Sequence, residues 1–190
     1  MKIGLFLGSF NPVHIGHMIL ANYILEYTDL DKILFVISPH NPHKDKSILL
    51  SKDERYIMVM FAIGNNSKME ASDIEFNLPE PSYTIDTLEL LKNKNQNDEF
   101  VLIMGTDNLE SFFKWKDYQK ILNEHSLYVY QRDTSDGGEL KTHPKVKIID
   151  AHMVDMSSTF IRKAIKEQKD IRYFVPERVW NYIQKMGFYK

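Results

Sequence analysis

Two unbroken apolar runs joined through a helical stretch constrain this chain more than any other feature. Residues 2–7 end at Gly8, and residues 32–38, KILFVIS, end at Pro39. Neither run alternates polar with apolar, so both read as strands buried on both faces. Between them, residues 15–27 carry a broad apolar face with no breaker after Gly16, which predicts a helix. Strands separated by a helix pair in parallel, through a right-handed crossover. A parallel sheet needs helices over both faces, so the predicted fold class is α/β.

The alternation runs on. Residues 51–63 read as a helix with a capping box of Ser51 and Glu54 and an interior of Ile57, Met58, Met60 and Phe61. Residues 69–74 make a weak strand, 83–94 a helix with Ile85, Leu88 and Leu91 on one face, and 100–104 a central strand ended by Gly105. Residues 107–122 read as two short helices broken near Trp115, and residues 127–131 and 146–150 as strands. The loop between them, DTSDGGELKTHPK at 133–145, is the one segment expected to be mobile. Residues 157–167 form a helix with Ser157 as N-cap, and a last helix starts at Pro176 and stops before Gly187. The expectation is a doubly wound, Rossmann-like parallel sheet in one domain over residues 1–190, with ligands at the carboxyl ends of its strands.

Composition narrows the function classes. Lys and Arg number 24 against 26 Asp and Glu, a net charge of −2. No global basic field attracts nucleic acid, so any phosphate site is local. With no cysteine there is no disulfide, thiolate metal site or cysteine nucleophile, and with no long apolar span there is no membrane partner. The location expected is cytoplasmic.

The first strand runs into GSFNPVHIGH, residues 8–17. Gly8 can adopt dihedrals closed to other residues, Ser9 and Phe10 offer consecutive backbone N–H groups, and Asn11 with Pro12 supports a turn toward a helix N-terminus. That is an anion-binding layout. It lacks the Gly-Lys-Ser/Thr ending of a P-loop and the spacing of a dinucleotide fingerprint. His14 and His17 would share a helix face with Gly16 leaving room between them, which favours phosphate contact; metal binding lacks a nearby third ligand. After the second strand, SPHNPHK supplies His40, His43 and Lys44, either a solvated basic turn or a phosphate contact. Near the end, Ser157, Ser158, Thr159 and Arg162 combine a helix cap with a cradle for a triphosphate. Gly105 and Asp107 follow the central strand, where a carboxylate can accept from a ribose hydroxyl. Trp115 is either core or a platform. Tyr83 and Thr84 open a helix whose N–H groups suit a substrate carboxylate.

GSFNPVHIGH, SPHNPHK, PSYTIDTL, IMGTDN with Trp115, and MSSTFIR, in that order, resemble the bacterial nicotinate mononucleotide adenylyltransferases, a branch of the HxGH nucleotidyltransferase superfamily. The resemblance spans essentially the whole chain and implies transfer of AMP from ATP to nicotinate mononucleotide, giving deamido-NAD and pyrophosphate. On it, His14, His17, Lys44 and Arg162 would carry the catalytic phosphate contacts. Gly8, Ser9, Phe10, Gly105, Asp107, Ser157, Ser158 and Thr159 would bind ATP. Tyr83, the Thr84 backbone, Trp115 and Arg132 would bind the mononucleotide, Trp115 by stacking on the pyridine ring. The family commonly has GGSFDP or GGTFDP, whereas this chain has Leu7 before Gly8 and Asn11 in place of Asp, which keeps a capping geometry without the charge.

The chemistry implied is in-line attack by a phosphate oxygen on the α-phosphorus, needing neither a covalent intermediate nor a general base. Mg²⁺ would ride on the ATP phosphates. Phosphopantetheine and nicotinamide mononucleotide are rival acceptors, and a nucleotide sensor is the non-enzymatic rival. Association into a homo-oligomer stays open: Phe188 and Tyr189 could form a contact between subunits or pack back on the core.

Overall fold

A computed structural model describes residues 1–39, 49–132, 135–151 and 154–190. Six strands form one wholly parallel sheet: β1 (Lys2–Gly8), β2 (Lys32–Ile37), β3 (Met69–Ser72), β4 (Glu99–Gly105), β5 (Ser126–Tyr130) and β6 (Val146–Ile149), in the order β3-β2-β1-β4-β5-β6. Alternate residues of the apolar runs feed opposite cores, which is why the runs show no polar alternation. Phe6, Phe35, Ile37, Val101 and Ile103 pack into one core, and Leu5, Val36, Leu102, Met104 and Val129 into the other.

The first core is covered by α1 (Ile15–Tyr27), α2 (Lys52–Ile63), α6 (Ser158–Lys166) and α7 (Glu177–Met186); the second by α3 (Thr84–Lys94), α4 (Thr106–Glu110) and α5 (Tyr118–Glu124). The change of face falls between β1 and β4, the switch point at which a doubly wound sheet opens a crevice. Gly8 and Gly105 end the two strands that flank it.

Several boundaries differ from the sequence reading for identifiable reasons. The strand expected over 69–74 stops at Ser72, and a 3₁₀ turn, Ile74–Asn77, carries Glu75 into the interior. The helical stretch after β4 breaks as expected around Trp115, with a 3₁₀ turn at Phe112–Lys114 and Asp117 in the left-handed region at φ 51°. Only half of the Ser51 capping box forms: Ser51 Oγ accepts from Glu54 N–H, while the Glu54 carboxylate accepts from the Tyr182 hydroxyl. Pro176 is the N-cap of α7, not its first residue, and Gly187 closes that helix at φ 68°. The described part of 133–145 is tied down: Ser135 bonds Thr106 and Glu110, and a 3₁₀ turn at Glu139–Thr142 places Leu140 against the second core. Among the described residues no helix is long and apolar enough to cross a membrane.

Candidate active site

The turn after β1 is built differently from its sequence expectation. Gly8 does not use a positive φ; a Cβ there would lie 2.8 Å from the Phe10 ring. The left-handed residue is Phe10, at φ 46°. Its ring is buried and meets Phe6, Phe35 and His17 at centroid distances of 5.7, 5.6 and 5.2 Å. Phe10 therefore anchors the turn in the first core by its side chain, leaving only its backbone to face a ligand. Asn11 does not cap a helix: its Oδ1 accepts from the Tyr189 hydroxyl at 2.7 Å and from Leu50 N–H. Tyr189 thus packs back on the core, where burial pushes its hydroxyl pKa up against the opposing charges of Arg162 and Arg55.

His14 is not on the helix face but is the N-cap of α1, in extended backbone. Its Nδ1 accepts from His17 N–H at 3.3 Å, and His17 Nδ1 accepts from His14 N–H at 3.2 Å. This is a capping box made of two imidazoles in place of the usual hydroxyl and carboxylate. Their rings stack, with centroids 3.6 Å apart and planes 24° apart. Both Nδ1 atoms must carry lone pairs to accept, so in the neutral form each ring holds its proton on Nε2 as a donor. His14 is 5% exposed, and burial, then the nearby charge of Arg132, lower its pKa to about 4. The room beside Gly16 is used by the pair itself: a Cβ there would lie 3.1 Å from His14 Nδ1 and 3.7 Å from the Val154 carbonyl.

The start of α6 is stitched to the same turn. Ser157 Oγ caps the helix by accepting from Phe160 N–H at 3.1 Å. Ser158 Oγ donates to the Pro12 carbonyl at 2.9 Å. Arg162 donates to the Asn11 carbonyl at 2.9 Å and to Thr159 Oγ1 at 3.2 Å. Hydroxyls, an arginine, a helix N-terminus and two imidazole donors thereby meet at the carboxyl end of β1. Among the buried side-chain polar atoms described, Ser9 Oγ alone has no hydrogen-bond partner.

Across the switch point, Gly105 caps α4, and a side chain there would collide with the Asp107 carboxylate and Arg132. Asp107 and Arg132 form an ion pair at 3.6 Å, and Arg132 also donates to the Tyr130 hydroxyl. Tyr83 is the N-cap of α3 and Thr84 its first residue, so the Thr84 N–H belongs to the helix's unpaired first turn. Lys116 lies 4.9 Å from the Tyr83 ring centroid and bonds Asp86. Trp115, the residue before Lys116, is half-buried against Phe112 with centroids 5.1 Å apart. The Tyr83, Thr84 and Trp115 group thus sits with the second core's helices, apart from the histidines of α1. Lys44, with His40 and His43, lies outside the described residues. Among the described residues no group of three or more His, Asp or Glu is arranged to hold a metal.

Two buried charges escaped the sequence reading. Arg55, with no exposed surface, donates to four backbone carbonyls: Leu50 at 3.0 Å, Ser9 at 2.7 Å, Ser38 at 2.8 Å and Pro39 at 2.9 Å. Burial lowers its pKa to about 10, so it stays charged near neutrality. A signal was present: Arg55 shares a helix face with buried Met58 and Val59, three and four residues on. Glu75 is 2% exposed and accepts from Thr87 Oγ1 at 2.7 Å and Ser82 Oγ at 2.9 Å, pinning the segment that leads into α3. Burial raises its pKa, with those hydroxyls opposing.

Residues 5–164 match the family described as cytidylyltransferase-like. A probable nicotinate-nucleotide adenylyltransferase of Flavobacterium johnsoniae is 53% identical, the match covering 100% of both chains. One of Bacteroides thetaiotaomicron is 41% identical over 97% of this chain and 92% of its own. Among solved structures, the Plasmodium falciparum nicotinic acid mononucleotide adenylyltransferase complexed with NaAD superimposes with a TM-score of 0.83 at 26% identity, covering 99% of this chain and 97% of that one.

Proposed function

Because this chain belongs to the cytidylyltransferase-like family, we infer that it transfers AMP from ATP to nicotinate mononucleotide, forming deamido-NAD and pyrophosphate in NAD biosynthesis. It is a nucleotidyltransferase. The observation that carries the site assignment is the stacked imidazole pair. Two Nε2–H donors stand at the switch point beside the N-terminus of α6, suited to an anion that gains charge as it leaves.

In the proposed reaction a phosphate oxygen of the mononucleotide forms a bond to the α-phosphorus of ATP, and the bond from that phosphorus to the bridging oxygen breaks. Pyrophosphate carries the electron pair away. The attacking phosphate is ionised at neutral pH, so no residue need remove a proton, and the protein's work is positioning and charge stabilisation. His14 and His17 contact the reacting phosphates, with Lys44 as a further phosphate contact. Arg162, Ser157, Ser158 and Thr159 hold the departing β and γ phosphates. Gly8, Ser9 and Phe10 line the nucleotide cleft, and the Ser9 hydroxyl, without a hydrogen-bond partner among the described residues, supports a ligand there. Asp107 reaches the ribose beside Gly105, while Tyr83, Thr84, Trp115 and Arg132 receive the pyridine nucleotide. Magnesium enters as part of the ATP substrate. We take the setting to be cytoplasmic.

The test is pyrophosphate release with MgATP and, in parallel, nicotinate mononucleotide, nicotinamide mononucleotide or phosphopantetheine, with the product identified by mass. Turnover should be strongest with the nicotinate form. His17→Ala should lower it about 100-fold or more in protein still folded by circular dichroism. Full turnover by that variant removes the histidine assignment, and preference for another acceptor removes the substrate.

A further inference from the structure

We propose that Arg55 is a positioning residue for ATP, holding the peptide between Ser9 and Phe10 so that its N–H faces the phosphates. The inference rests on the assignment of the β1 turn to ATP. A trans peptide is planar with its C=O and N–H pointing in opposite directions. Arg55 Nη1 takes the Ser9 carbonyl at 2.7 Å, so the Phe10 N–H of the same peptide points away from the guanidinium. No acceptor among the described residues takes that N–H. The peptide's dipole is fixed with its positive end outward, and Phe10 is held at φ 46°, a conformation that non-glycine residues rarely adopt.

The same guanidinium ties that peptide to Ser38 and Pro39, after β2, and to Leu50, before α2. Three segments far apart in sequence are thus set by one side chain. Among the described residues no carboxylate forms an ion pair with Arg55. Among the described residues its hydrogen bonds go to carbonyls, with Asp53 an opposing charge that makes no ion pair, and the positive charge behind the turn adds to the attraction for an anion in front of it. Lysine cannot replace this role, because an ammonium lacks the planar fork that reaches several carbonyls at once.

Arg55→Lys is the informative variant, compared with wild type for the KM of each substrate. The expected result is a KM for ATP raised about tenfold or more, as for the loss of one charge-assisted hydrogen bond, with the KM for nicotinate mononucleotide within about twofold. Equal changes in both constants, or none, overturn the proposal. Independently of any variant, titration of wild type with a non-hydrolysable ATP analogue should shift the Phe10 amide resonance, and an unmoved resonance also overturns it. A shifted Phe10 amide in a protein that turns over none of the three acceptors leaves Arg55's role standing and sinks the proposed reaction instead.

Discussion

Acid should loosen this protein through His14. With its ring buried, its Nδ1 committed to His17 N–H and Arg132 close by, His14 has its pKa lowered from 6.5 to about 4. In the unfolded chain it titrates at its ordinary value, so between pH 6.5 and 4 the unfolded state binds more protons than the folded one. The stability due to neutral His14 is therefore complete above pH 6.5, declines as the pH falls, and is gone by about pH 4. At 1.36 kcal/mol per tenfold change in proton affinity, the displacement amounts to about 3 kcal/mol. The comparison is His14→Asn, which keeps an N-cap acceptor for His17 N–H but does not titrate. Urea unfolding of both proteins from pH 7.5 to 4 should show wild type losing about 3 kcal/mol more than the variant, the contributions of His125 and the carboxylates cancelling in the difference. Parallel curves would refute the reasoning, as would a titration of the His14 ring near pH 6.5 by NMR.

Gly8→Ala should cost about 1–3 kcal/mol in urea unfolding, because the new Cβ meets a Phe10 ring wedged between Phe6, Phe35 and His17. Glu75→Leu should cost about 1–3 kcal/mol by the same assay, since the hydroxyls of Thr87 and Ser82 lose their acceptor. Glu75→Gln should instead gain on wild type as the pH rises above 4.5, because the raised pKa means that wild type loses stability as this buried carboxyl ionises. Tyr189→Phe removes one hydrogen bond to Asn11 and should lower stability by about 1 kcal/mol, read from the urea midpoint.

The layered fold was legible because its signals are local. Uninterrupted apolar runs, the caps at Ser51 and Ser157 and the stop at Gly187 each sit within a few residues of what they determine. The structure does gather His14, His17, Ser158, Thr159 and Arg162 around one turn, as a shared candidate site requires, but their arrangement was less legible. Two histidines three apart suggest a shared helix face, and nothing nearby reveals that the first becomes the cap and stacks on the second. Glycine in the turn suggests a positive φ, yet core packing of the Phe10 ring forces that conformation onto Phe10 and leaves Gly8 to make room. Arg55, among charged residues at the start of α2, resembles a solvated side chain because its acceptors, Ser9, Ser38 and Pro39, come from two other loops. Interactions assembled across such separations leave at most an indirect trace, here the helix face that Arg55 shares with buried Met58 and Val59, which does not reveal the acceptors.

The neighbours of β1 reach it at very different times. Ile3 lies opposite Lys32 of β2, whereas Lys2 lies opposite Glu99 of β4. At roughly 5–20 residues per second of synthesis, the first strand waits several seconds with one apolar edge open before β4 exists to pair with it. Contacts so distant along the chain also make for slow folding after release. The last-formed seam of the sheet centre is the one whose ends, Gly8 and Gly105, frame the switch-point crevice proposed as the active site. A nascent chain therefore carries both histidines well before it has the opposite wall, and the proposed site is complete only after β4 has paired with β1 and α6 has docked on the turn.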